Sequence, residues 1–272
     1  MFTYFKGYTV GICAIAIALP VVTSTLWPMF TGQMMAASLG GTILMFALFI
    51  VGMFFGWLIF SRLADSKVQR MINAYNNDCD PDTLIREGSN IAIQVVYPCN
   101  QAASWFMGYY GQALLDSGNA QLAKNILGGL RLSIDAAKTP QEKVGILVNY
   151  LPLDEKMSGL QDALSVIDEG LGYCKEAKSS QVASFSDFLR SQKRIMQDLV
   201  SDDKQNAVDM CEKIRSDSSY PTRLRVEYAW IEASKLYGSG DKKEEANCLD
   251  FIVKNGNKLA LVEKAKARLS DL

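Results

Sequence analysis

The sequence predicts an all-α protein, with an N-terminal transmembrane helical hairpin followed by an α-solenoid. Three observations predict it. From Gly7 to Ser61 the chain carries no Asp, Glu, Lys or Arg, although the rest of its 272 residues are ordinarily charged. Beyond that run, apolar residues recur every three or four positions, as in Leu160, Ala163, Leu164, Ile167 and Leu171, and no stretch alternates with period two. Helix-start and helix-stop residues punctuate the periodic stretches at short intervals.

The apolar run is read first. Spans are expected at about 8–29 and 41–60, since a helix needs about 20 apolar residues to cover the hydrocarbon of a bilayer and only a helix or a closed barrel satisfies its backbone there. The uncharged connection over 30–40 makes residues 1–61 a hairpin. Lys6 precedes the first span, Arg62, Lys67 and Arg70 follow the second, and the loop has no cation. The positive-inside rule then puts both termini in the cytoplasm of a bacterial inner membrane. Gly7, Gly11 and Ala14 share one face of the first span, and Gly52 and Gly56 one face of the second. Small faces let helices approach closely in lipid, packing the hairpin or joining copies of it in a homo-oligomer.

Composition excludes several functions. The chain holds 28 basic and 29 acidic residues and has a net charge of −1, so no basic field attracts nucleic acid. Histidine is absent, which removes the commonest general base and metal ligand. The six cysteines, at 13, 79, 99, 174, 211 and 248, show no metal-ligand spacing. No catalytic motif, cofactor site or metal site is expected.

After the hairpin comes a helical connector over 62–99, continuing the second span, and then a domain over 100–272. Asp80-Pro81 sets an N-cap before a first-turn proline, and Thr139-Pro140-Gln141-Glu142 adds the glutamate of a capping box. Ser117-Gly118-Asn119, Ser239-Gly240-Asp241 and Asn255-Gly256-Asn257 supply glycine stops. Helices are expected over 62–76, 81–97, 100–117, 120–136, 140–151, 158–177, 180–200, 203–216, 221–238, 242–255 and 257–270. Short helices in pairs with tight turns suggest a solenoid rather than a single bundle.

In one pair Gly111, Leu114, Ala123 and Leu127 fall at fixed small and large positions around the Gly118-Asn119 turn, and in another Trp230, Ala233, Ser234, Tyr237 and Ala246 follow the same order. These residues resemble the tetratricopeptide repeat, with more degenerate units over Leu147 to Ile167 and Phe185 to Ile214. The resemblance implies a protein-binding array whose first helices line a concave face. On that alignment Trp105, Gln112, Asp116, Tyr228 and Lys235 face inward as a partner-binding groove. An aromatic ring beside an amide or charge makes a plausible peptide clamp, although Trp105 and Tyr228 also fit a role as packing between helices. Arg190, Lys193 and Arg194, like Arg223 and Arg225, are expected on solvated faces.

The functional expectation is a membrane-anchored adaptor or scaffold that binds a protein or peptide partner. The alternatives are an accessory subunit of a membrane complex, contacting its partners through the hairpin, and an enzyme of unrecognised class.

Overall fold

The computed structural model describes residues 39–177, 182–201, 203–238 and 241–272, with four positions between 15 and 21 besides. Among the described residues there are helices and no strands. The helices are α1 Leu39–Asn77, α2 Pro81–Ala92, α3 Gln101–Asp116, α4 Ala120–Ala136, α5 Pro140–Ser158 and α6 Leu160–Glu176. They continue with α7 Val182–Val200, α8 Lys204–Ser216, α9 Thr222–Leu236, α10 Lys242–Asn255 and α11 Ala260–Ser270. Contacts divide the chain into two compact units, Met1–Arg70 and Met71–Leu272.

The first unit corrects the expectation of a membrane hairpin. Among the described residues, no helix is long and apolar enough to cross a membrane. Most of the span expected at 8–29, together with Gly7, Gly11 and Ala14, lies outside the described residues. The stretch expected as a second span is the front of α1, a 39-residue helix that runs on through Arg62, Asp65, Lys67 and Arg70 without a break. A high apolar count in the sequence is necessary for crossing a bilayer but is not sufficient for it. The orientation and the bacterial inner-membrane placement rested on the hairpin and fall with it. Gly52 and Gly56 are buried on α1, while Ile43, Phe46, Ile50, Phe54 and Phe55 are exposed.

In the second unit, capping chemistry sets most of the boundaries. Asp80 accepts from the Thr83 amide at 3.2 Å and starts α2. Thr139 and Glu142 form the reciprocal capping box of α5, satisfying two amides that have no helical partner. Asn100, Asp203 and Asp241 cap α3, α8 and α10 by the same kind of bond. Helix α5 continues seven residues beyond its expected end, through Pro152 to Ser158. Proline there removes the donor that would serve the Val148 carbonyl, yet Leu147, Leu151 and Leu153 are fully buried and hold the helix together. Gly256 caps the end of α10, as expected of a glycine stop, but not with the left-handed backbone that glycine commonly supplies there. Instead it is right-handed and Asn257 takes the positive φ of 46°. Glycine is needed at 256 for space, because a Cβ there would lie 2.6 Å from Val262 Cγ2.

Consecutive helices pack on each other from α2 to α11, and α3 with α5 and α5 with α7 also touch across the intervening helix. This forms an inner row of alternate helices. The row is tight where glycine permits: a Cβ on Gly108 would sit 2.5 Å from the Asn149 carbonyl oxygen, and one on Gly111 would sit 2.6 Å from Leu153 Cδ2. The last turn of the unit meets its first. Asn257 Nδ2 donates to the Asp78 carbonyl at 2.8 Å, and Lys258 Nζ reaches Asp80 Oδ2 at 3.0 Å.

Candidate functional site

Within the second unit the inner row encloses a cavity of about 1,000 Å³. Its walls come mainly from the last turn of α1, from α3, α5, α7 and α9, and from the start of α11, with Leu160 of α6 and Ile214 of α8 completing them. Trp105, Tyr109, Phe185, Phe188, Tyr228 and Trp230 supply aromatic surface. Trp105 and Tyr109, one helical turn apart, meet edge to face at 5.7 Å, which holds Trp105 in a fixed pose at the wall.

A chain of charges crosses the wall beneath the rings. Asp116, at the end of α3, accepts from the Tyr75 hydroxyl at 2.5 Å, and Lys156 Nζ lies 2.9 Å from both of its oxygens. Lys156 also pairs with Glu227, which pairs in turn with Arg223 one turn earlier on α9. Arg223 donates to Asn76 Oδ1 at 3.1 Å, and its guanidinium lies 4.8 Å from the centre of the Tyr75 ring. Only 7% of Arg223 is exposed. Burial pulls its pKa down, but Glu227, then Tyr75 and Asp116, outweigh that and hold the guanidinium above its ordinary value. Burial likewise drives the Tyr75 hydroxyl well above the usual phenol range. Every charge in this chain is answered by another, the condition under which ions tolerate a low-dielectric wall.

Two polar groups in the same wall stand outside the chain. Gln112 is 4% exposed, its Nε2 donates to the Gly108 carbonyl at 3.2 Å, and its Oε1 is buried without a partner. Glu155, on α5 beside Lys156, makes no side-chain hydrogen bond or ion pair. Burial, and then the nearby Glu227, push it up to about 7, against the opposite pull of Lys156 and Arg223.

Of the five groove residues expected from sequence, Trp105, Gln112, Asp116 and Tyr228 line this one cavity. Tyr228 is also packed against Leu199, Cys211 and Ile214, so its ring serves the core as well as the wall. Lys235 does not line the cavity. Its ammonium donates to the Leu199 carbonyl at 2.7 Å and closes the end of α7, a favourable position for a cation at a helix C-terminus. Sequence reasoning missed Glu155, Lys156 and Glu227 as wall residues and Tyr75 as the buried partner of Asp116, and it assigned Arg223 to a solvated face. The available signal was the Arg223–Glu227 spacing of four on a helix whose neighbours Val226 and Ala229 are apolar.

One further set of side chains has metal-ligating chemistry: Glu232, Glu244 and Cys248 offer ligand atoms within 4.8 Å of one another. Arg215 already occupies the cationic place, with bonds of 2.8 and 3.1 Å to Glu232 and 2.9 Å to Glu244. Burial raises the Cys248 thiol far above its ordinary range, which disfavours the thiolate that a metal requires. The set is an arginine-centred ion-pair network joining α8, α9 and α10. Among the described residues Cys79, Cys99, Cys174, Cys211 and Cys248 are all free thiols.

Comparison with protein-family models, with curated protein sequences and with solved structures found no match to this chain.

Proposed function

We propose that the second unit is a peptide-binding array and that the chain acts as a protein-interaction adaptor or scaffold through its cavity. The observation that carries the reading is that Trp105, Gln112 and Asp116 of α3 and Tyr228 of α9, from helices far apart in the chain, line one aromatic-walled space of about 1,000 Å³. That volume stands at the upper end of small-molecule sites, about 300–1,000 Å³, and suits a few side chains of an extended or helical segment. Fixed rings supply contact area at low entropic cost, and the amide and carboxylate groups set register. The resemblance of its helix pairs to tetratricopeptide repeats supports the same reading.

An enzyme is the second reading, favoured by Glu155, whose raised pKa in a cavity with Lys156 and Arg223 is the kind of perturbation found at catalytic sites. Against it, Asp116, Lys156, Glu227 and Arg223 neutralise one another, no cysteine among the described residues lines the cavity, and the lining serine, Ser191, is exposed on α7.

The test is selection of peptides from a displayed random library on the full-length chain, followed by titration of the selected peptide. Phe188, an exposed ring of the wall, is changed to Ser, and Leu132, exposed on α4 and outside the cavity, is changed likewise as a control. Phe188→Ser is expected to weaken binding by about tenfold, the effect of losing one apolar anchor, and Leu132→Ser to leave it unchanged. Failure to select any peptide, or equal responses to the two changes, would refute the reading.

A further inference from the structure

The cavity wall contains two hydrogen-bond acceptors that the protein itself leaves unserved, and they lie on adjoining helices. Gln112 is on α3 and Glu155 on α5. These helices run side by side, from the close approach of Gly108 to Asn149 at one end to the Asp116–Lys156 pair at the other. A buried amide oxygen without a donor costs free energy that a ligand N–H recovers. A carboxylate in the same wall raises the value of that donor if it is charged. The cations already present do not meet this demand, since Lys156 is shared between Asp116 and Glu227 and Arg223 is held by Glu227 and Asn76. Lys264, the remaining cation of the wall, is exposed at the start of α11. The aromatic rings of the wall favour a cation over an anion at their faces.

From this geometry we infer that the cavity's occupant is a basic, apolar peptide segment, whose lysine or arginine donates to Gln112 Oε1 and to the Glu155 carboxylate while its apolar neighbours cover Trp105 and Phe188. The inference rests on the peptide-binding reading above and specifies its ligand. It also ties recognition to protonation. The groups acting on Glu155 are Glu227, Arg223 and Tyr228 on α9 and Lys156 on α5. Of these, Glu227 opposes ionisation and the two cations favour it. Glu155 gains its charge around neutral pH, so the preference for a basic segment strengthens as pH rises through that region.

The experiment uses the full-length chain and three fluorescein-labelled peptides of the form Leu-Phe-Xaa-Leu-Phe, with lysine, norleucine or glutamate at the centre. The lysine peptide is expected to bind about tenfold more tightly than the norleucine peptide at pH 8, the usual worth of a charge-assisted hydrogen bond. That ratio should shrink toward one at pH 6, and also in Glu155→Gln, which breaks no bond within the protein. Gln112→Met serves as the second variant, with helical circular dichroism as the check on folding. If no peptide binds, the peptide-binding reading falls and the inference falls with it. If lysine and norleucine bind equally, or if glutamate binds best because Lys264 governs the site, the inference alone is overturned. A lysine preference that survives both variants also overturns it.

Discussion

The stretch of α1 before Arg70 and the array after it are both rich in apolar residues, yet they dispose of them differently. In the array the large side chains recur every three or four positions and are buried: Leu130, Ile134, Leu147, Ile167 and Leu189 are all at 0% exposure. Along α1, Phe46 is 67% exposed and Phe54 and Phe55 are 55% exposed each, because apolar residues occupy several faces of one helix at once. A single stripe can be covered by one neighbouring helix, whereas an all-round distribution cannot. Periodicity, rather than apolar content, therefore specified a folded interior here. Charge follows the same division. The array takes arginine and glutamate inside in matched pairs, and α1 carries Arg62, Asp65 and Arg70 exposed.

The contrast breaks most sharply at the buried ions. Arg223→Leu strips Glu227 of one of its two partners, Tyr75 of its stacked cation and Asn76 of its donor. It is expected to cost about 3 kcal/mol of unfolding free energy, the lower end for breaking a buried pair, because Lys156 remains to hold Glu227. Arg62→Ala, at an exposed position of α1, is expected to stay within about 0.5 kcal/mol. Urea denaturation of the two variants, followed by helical circular dichroism, measures both. Equal small effects would mean that the charge chain is ornamental to stability.

That same chain shows why the sequence revealed the helices and only part of the candidate site. Caps and turns are local: Asp80, Asn100, Thr139 and Asp203 act on amides three residues away, so adjacent letters state them. The wall charges act across 40 residues from Asp116 to Lys156 and 147 from Asn76 to Arg223. No spacing rule reaches so far, and each of these residues taken singly reads as an ordinary surface ion. Trp105 and Gln112 were reachable because helical phase places them on one face. Lys235 shares the phase of its helix but is long enough to bend away to the end of α7, and a pattern of Cα positions does not encode where a flexible side chain finds its acceptor. The hairpin expectation failed differently: it was built from the apolar content of two charge-free stretches, and among the described residues no helix is long and apolar enough to cross a membrane.

A smaller effect sharpens the difference between paired and unpaired charge. The carboxyl of Glu155 is raised from 4.5 to about 7 in the folded chain. Between those values the folded state binds more protons than the unfolded one, so this group's contribution to stability is present at low pH and is lost as pH rises through about 7. The expected loss is about 1–3 kcal/mol across that window, from about 1.4 kcal/mol for each pKa unit. Asp80 and Glu169 are shifted downward, so their linkage lies at lower pH and has the opposite sign. Stability measured at intervals from about pH 5 to 8 should fall for the native sequence and flatten in Glu155→Gln. A slope that survives the substitution would assign the titration to another group.

The mildest change addresses α1. Because Phe46 is 67% exposed, its ring contributes little to the folded interior, and Phe46→Ser is expected to alter unfolding free energy by no more than about 0.5 kcal/mol. A change of Leu130 to Ser, at 0% exposure in the array, removes comparable apolar surface from a packed site and leaves a buried hydroxyl, so its cost is set by cavity formation and desolvation together. Exposed apolar rings nonetheless favour self-association in water. Sedimentation velocity of Phe46→Ser should therefore show less association than the native chain at equal concentration, while its melting curve remains unchanged. A substantial loss of stability at Phe46 would show that this ring is packed in solution, and the contrast between the two regions would then reduce to a difference in which partner covers them.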